Sequence, residues 1–307
     1  MKRYMMIFNL FLLPITMVAA EQTLWVEAPK KAVAGTLVSL SIHTQSENGL
    51  TVALRDMAGK DIISSNTFPA KNSRKEGMRE EIALLGLPST LQSGSFLLML
   101  YSGKTLLWQQ ELSVEMGSFL KEDIPLNQKM SDLRSDDDPQ KVEEAIAIHA
   151  IYNTFHRRPF DEKLSLHLPV TGGRFSAWYG DRRRYCYSDG TSALSIHSGV
   201  DIAAPVGTPI SAGGEGTVVF TGPRIVTGNT VVIEYGPGVY GVFFHLDRID
   251  IEEGSTVDAD THIGVVGMTG LATGPHLHWE IRVAGIPIDP LSLLATPLDM
   301  ASSSPIQ

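Results

Sequence analysis

Four side chains in the second half of the chain could hold and use a metal ion. His197 and Asp201 lie in Ile196-His197-Ser198-Gly199-Val200-Asp201, and His276 and His278 lie in Gly274-Pro275-His276-Leu277-His278-Trp279. Imidazole and carboxylate are ligand types that suit zinc. An H-x-x-x-D pair would share one face of a helix, but Gly199 stands between these two and Pro205 follows closely, so the segment reads as a strand edge or loop. H-x-H has the period of a strand. It sends His276 and His278 to the same side of a sheet, roughly 7 Å apart along it at about 3.3 Å per residue. One can bind metal while the other stands beside it. Three protein ligands with a fourth position left open mark catalytic zinc, whereas structural sites close all four with protein. Neither motif is specific alone: nine histidines in 307 residues are no enrichment, and H-x-H also describes two half-exposed strand residues.

The surroundings narrow the choice. His197-Ser-Gly-Val-Asp201-Ile-Ala-Ala-Pro-Val-Gly-Thr-Pro209, Gly228-Asn229, Phe244-His245-Leu246 and Thr273-Gly-Pro-His276-Leu-His278-Trp279 occur in an order and spacing that resemble the lysostaphin/LytM-type zinc metallo-endopeptidases of the bacterial cell wall. The resemblance runs over residues 168–294. It implies His197, Asp201 and His278 as Zn2+ ligands, His276 as general base, His245 as the residue that steadies the oxyanion, and Asn229 as a groove-lining residue. Asn229 reads equally as a turn residue after Gly228. The chain departs from the family at Glu234-Tyr235-Gly236, where histidine is common, and at Phe243, where tyrosine is common. Neither position is a ligand.

These residues need a framework. Thr217 to Phe220, Thr230 to Glu234, Val242 to His245, Ile263 to Val266 and His276 to Val283 are short apolar runs between glycine-rich turns, so the second half reads as all β. The resemblance adds a duplicated-hybrid-motif β-barrel with the site in a groove. In the first half, Val38, Leu40 and Ile42 alternate with Ser39, Ser41 and His43. Leu112 and Val114 alternate with Ser113 and Glu115, which predicts half-buried strands of a small immunoglobulin-like β-sandwich with His43 on the solvated face. The stretch 117–135 reads as polar and irregular. Asp138-Pro139 then supplies an N-cap and a first-turn proline, and Val142, Ala145, Ile146 and His149 share one helical face that predicts packing on the second domain. The acidic run 136–138 reads as a solvated cap.

Lys2 and Arg3 before an apolar run, with Val18-Ala19-Ala20 before Glu21, read as a cleavable export signal too short for a comfortable membrane span. The expected organisation is a signal over 1–20, an accessory sandwich over 21–117, a linker with a helix over 118–165, the peptidase domain over 166–295 and a disordered tail over 296–307. The single cysteine, Cys186, excludes an internal disulfide and reads as a small apolar residue. A net charge of −9 gives no general attraction for nucleic acid or for an anionic wall. The expectation is therefore an exported, mainly β zinc endopeptidase of the periplasm or cell envelope. The resemblance implies peptidoglycan as its partner, cut at stem-peptide crosslinks: in a diaminopimelate-type wall the D-alanyl-diaminopimelate bond is the leading candidate, and glycyl-glycine crosslinks are also permitted. Two alternatives stay open: a non-cleaving wall-binding or activator module, and an exported protease acting on glycine-rich peptides. Gly180-Asp181-Arg182-Arg183-Arg184 reads either as a substrate-carboxylate contact or as a structural anchor.

Overall fold

A computed structural model describes residues 24–46, 49–71, 78–160 and 164–294. The expected signal over 1–20 and the expected tail over 296–307 lie outside the described residues. The architecture is mainly β with two helices, and no described helix is long and apolar enough to cross a membrane.

The first strands are β1 (Leu24–Glu27), β2 (Lys31–Val33), β3 (Leu37–Thr44), β4 (Leu50–Asp56), β5 (Asp61–Asn66), β6 (Phe68–Pro69), β7 (Arg79–Gly86), β8 (Gly94–Ser102) and β9 (Thr105–Glu115). They make two sheets, ordered β1-β3-β7-β6 and β2-β9-β8-β4-β5. Because successive side chains on a strand alternate faces, Leu40 and Ile42 of β3 and Leu98 and Leu100 of β8 all reach one core between the sheets. His43 departs from its expected solvated setting. It faces outward, but β1 places Trp25 directly opposite, and the two rings stack with centroids 4.9 Å apart.

Strand β7 is buried on both faces, which simple alternation did not predict. Ala83 and Leu85 enter the sandwich core, while Ile82 and Leu84 join Phe68 in the core of the second half. Leu84 is 1% exposed, so Leu84→Ala is expected to cost about 2–5 kcal/mol. A lower denaturant midpoint for the whole chain would confirm a shared core, and melting of the sandwich alone would contradict it.

The stretch 117–135 is corrected: it holds β10 (Lys121–Pro125) and α1 (Gln128–Ser135). Its polar composition hid the strand because β10 is formed by parallel pairing with a later strand rather than by its own apolar pattern. Helix α2 (Pro139–Tyr152) begins as expected, with Asp138 accepting from the Gln140 amide and Pro139 in the first turn. Its buried face is not the expected one. Val142 and Ile146 are 61% and 67% exposed and His149 is exposed, while Ile148 and Tyr152 pack against Tyr240 and Val242. Glu144 fixes this rotation by accepting from the Ile225 amide at 2.9 Å.

The second half contains β11 (Arg174–Ala177), β12 (Arg182–Cys186), β13 (Ser192–Ile196), β14 (Val200–Ala203), β15 (Pro209–Ser211), β16 (Gly216–Arg224), β17 (Gly228–Gly236) and β18 (Val239–Ile249). It ends with β19 (Thr256–Val257), β20 (His262–Val266), β21 (His276–Val283) and β22 (Ile286–Ile288), followed by a 3₁₀ turn over Pro290–Leu293. The main sheet runs β11-β14-β21-β18-β17-β16-β19, and β10-β12-β13 form a smaller one. Leu277, Trp279 and Ile281 alternate into the core from β21, which leaves His276, His278 and Glu280 on its other side.

Candidate metal centre

Strand pairing brings the four spaced residues together. In the antiparallel β14–β21 ladder Asp201 lies opposite His278 and Ala203 opposite His276, while β18 places Phe244 opposite His278 from the other side. His197 sits in the turn between β13 and β14. Gly199 permits that turn: a Cβ there would lie 2.2 Å from the Trp279 carbonyl oxygen.

Three atoms converge. His197 Nε2, Asp201 Oδ1 and His278 Nδ1 are separated by 2.8, 2.9 and 3.0 Å, and all three residues are buried. The far side of each ligand is held by a partner. His197 Nδ1 donates to the Trp178 carbonyl at 2.8 Å, since a carbonyl can only accept. His278 Nε2 faces Glu280 Oε1 at 2.9 Å, and Glu280 is in turn bound by Arg282 at 2.7 Å. Asp201 Oδ2 accepts from Arg183 at 2.7 Å. With those protons committed outward, two imidazole lone pairs and a carboxylate oxygen point at one another, an arrangement that calls for a cation at their centre.

The electrostatics agree. Burial opposes ionisation of Asp201, yet hydrogen bonds with His197 and His278 keep its carboxyl well below the usual range. Burial also opposes charge on Glu280, but Arg282 and His278 hold it down to about 2. Burial keeps His197 below its ordinary value, which favours its neutral form. Against the same burial, hydrogen bonds to Asp201 and Glu280 carry His278 up to about 9. The two buried carboxylates thus attract one positive charge to this ring, which a proton or a metal ion can equally supply. The donor set fits a metal: tetrahedral bonds of about 2.0–2.2 Å give ligand separations of roughly 3.3–3.6 Å, so the three atoms would spread by about 0.3–0.8 Å to hold one.

Two further imidazoles flank the triangle. His276 Nδ1 donates to the Gly274 carbonyl at 2.8 Å, and its Nε2 lies 3.7 Å from Asp201 Oδ1. His245 Nδ1 donates to the Thr269 carbonyl at 2.7 Å, and burial pushes its pKa down to about 3. The two ring centroids are 4.9 Å apart, and with each Nδ1 engaged by a carbonyl it is Nε2 that each ring has left to act. His245 has a φ of 66°, a left-handed conformation that costs a non-glycine residue of order 1–3 kcal/mol. Asn229 braces this turn: its side-chain amide donates to the Leu246 and Asp247 carbonyls at 3.0 and 3.1 Å. Thr227, rather than Asn229, lines the groove.

The groove holds about 540 Å³ and is open along one side of the sheet. His197, Asp201, His245, His276 and His278 all line it. The basic cluster resolves as anchors. Arg182 binds the Ser89 carbonyl at 2.7 Å, Arg183 binds Asp201, and Arg184 binds Asp123. Glu280, Arg183 and the Trp178 and Thr269 carbonyls were not singled out from sequence. Only Glu280 had a signal, since the period of two continues from His276 and His278. Glu280→Gln removes the acceptor that fixes His278 and is expected to weaken metal affinity about 10–100-fold. Competition with a chromogenic chelator reads this directly, and unchanged affinity would contradict the role.

Comparison with known proteins agrees with this geometry. The sequence pattern of "Peptidase family M23" matches residues 195–290. The chain is 35% identical over 156 residues to the peptidoglycan DD-endopeptidase ShyA of Vibrio cholerae, covering 51% of this chain and 33% of that protein. It is 43% identical over 103 residues to the DD-carboxypeptidase/endopeptidase Mpg of Neisseria meningitidis, covering 33% of this chain and 24% of that protein. The matched stretches thus span a third or less of these relatives. A solved Pseudomonas aeruginosa structure assigned to peptidase M23 is similar over 85% of this chain and 94% of its own, with 27% identity and a TM-score of 0.56. The stretch that carries the histidines and the aspartate, residues 195–290, is thus the part of the chain that matches peptidase family M23.

Proposed function

We propose that this chain is a zinc-dependent endopeptidase that hydrolyses peptide crosslinks of peptidoglycan in the cell envelope, with the D-alanyl-diaminopimelate bond as its target. The observation that carries the proposal is the convergence of three ligand atoms beside two further imidazoles in one open groove. The named activities of the Vibrio and Neisseria relatives support the choice of substrate. Zinc suits two imidazoles and a carboxylate, and when bound it polarises a carbonyl and acidifies water.

The chain's own groups do the rest. His197 Nε2, Asp201 Oδ1 and His278 Nδ1 would hold the ion, and the outer partners Trp178, Arg183 and Glu280 fix their tautomers and aim. His276 is assigned as the base. Its side chain is 14% exposed at the groove, where its Nε2 can reach a water beside the ligand triangle. The same Nε2 can then return the proton to the departing amine. His245 is assigned to the oxyanion. Because its Nδ1 proton is spent on Thr269, Nε2 can donate only when protonated, and burial disfavours that state until negative charge develops opposite it. Such an interaction favours the transition state over the bound substrate.

The domain division proposed from sequence is retained, with the first sheets as an accessory domain and the second half as a duplicated-hybrid-motif barrel. The orders β1-β3-β7-β6 and β2-β9-β8-β4-β5 support an immunoglobulin-like reading of the sandwich, as they match the ABED and CFG grouping with two added edge strands. A purified crosslinked muropeptide dimer tests the proposal. Conversion to monomers by the chain, lost with chelator and restored by zinc, is expected. Binding without conversion would move the assignment to a non-cleaving wall module, and cleavage of glycine-rich peptides alone would move it to a protease of proteins.

A further inference from the structure

The groove is not built by the peptidase domain alone. Strand β10 pairs in parallel with β12, Lys121 opposite Arg182 through Pro125 opposite Cys186, and thereby adds Glu122, Ile124 and Leu126 to the groove wall. This pairing also seats α1, whose Asn127 cap accepts from the Met130 amide at 3.0 Å and whose Ser131 hydroxyl accepts from the Ser188 amide at 2.9 Å. Arg134, in the last turn of α1, is thereby carried into the groove lining.

The charges along this wall are paired, with one exception. Arg183 is matched by Asp201 at 2.7 Å and Glu122 at 3.7 Å, and Glu280 by Arg282 and His278. Arg134 has no acidic partner among the described residues. Its guanidinium carbon lies 3.9 Å from the centroid of the Tyr185 ring, also in the groove lining, and its buried Nε has no hydrogen-bond partner. A cation stacked on an aromatic face is fixed in plane while its N–H edge stays free. A guanidinium so presented matches a carboxylate through two parallel hydrogen bonds.

We propose that Arg134 is a specificity residue that binds a free carboxylate of the peptide substrate, supplied to the groove by the segment between the two domains. This rests on the peptidase reading for the choice of substrate. The chemistry recognised is a carboxylate on the peptide near the bond to be cut; an amide at the same place offers only one acceptor and no charge.

The test uses the full chain with two crosslinked muropeptide dimers, one carrying the free diaminopimelate carboxylate and one carrying its amide. The chain is expected to prefer the carboxylate form in KM. Arg134→Ala should raise KM for that form about 10–100-fold, leave kcat and the KM of the amide form nearly unchanged, and so erase the preference. Arg134→Lys should restore part of it, because it keeps the charge and loses the fork. An equal loss on both forms, or no loss on either, would overturn the inference. Titration calorimetry of the same two peptides against the His276→Ala chain, with and without Arg134→Ala, supplies an arm that needs no turnover. A carboxylate preference in binding that disappears with Arg134, in a wild-type chain that cleaves neither dimer, would uphold the inference while refuting the peptidase reading. Absence of any carboxylate preference in binding would refute the inference even if both dimers are cleaved.

Discussion

His278→Ala is expected to abolish both metal retention and crosslink hydrolysis. The variant removes one of three converging ligand atoms and leaves Asp201 and Glu280, both buried, without the positive group between them. Loss of bound metal forfeits several kcal/mol of charge stabilisation in the transition state, so kcat/KM should fall by roughly a thousandfold or more. Metal content after dialysis, measured by inductively coupled plasma mass spectrometry, should drop from near one equivalent to well below it. Thermal melting separates this from unfolding: the neighbouring Trp279 and Leu277 face the opposite side of β21, and their packing is untouched. A variant that keeps both its metal and its activity would remove His278 from the ligand set.

His276→Ala is expected to behave differently. Its Nε2 stands beside the ligand triangle without closing it, so metal content should stay near one equivalent while kcat falls about 10²–10⁴-fold. His245→Ala should also lower kcat, by about 10²–10³-fold, if it stabilises developing negative charge. The two effects should not multiply in the double variant, because both rings act on one transition state. A His276→Ala chain that loses metal along with activity would make His276 a ligand, and one that keeps full kcat would place the base elsewhere.

Much of the site was legible because its parts obey strong local rules. The period of two in His276-Leu277-His278 put both imidazoles on one side of a strand, and Gly199 ruled out a helix between His197 and Asp201. The strands of the second half were legible from apolar runs that are buried in the structure, as at Val231, Ile233 and Phe243. What sequence hid depends on partners distant in the chain. Strand β10 exists through β12, the rotation of α2 is set by Tyr240 and by Glu144 on the Ile225 amide, and β7 is buried twice because a second core meets its outer face. Arg183 could be seen as basic, but only the fold shows that it spends its charge on Asp201.

The most direct test of the account is digestion of purified sacculi by the full chain in oxygen-18 water, followed by mass spectrometry of the released muropeptides. The account predicts loss of crosslinked dimers and appearance of monomers that carry one oxygen-18 in the new D-alanine carboxyl, with neither change in the presence of chelator or with His278→Ala. Intact dimers after digestion, or label confined to a sugar or to another peptide bond, would contradict it.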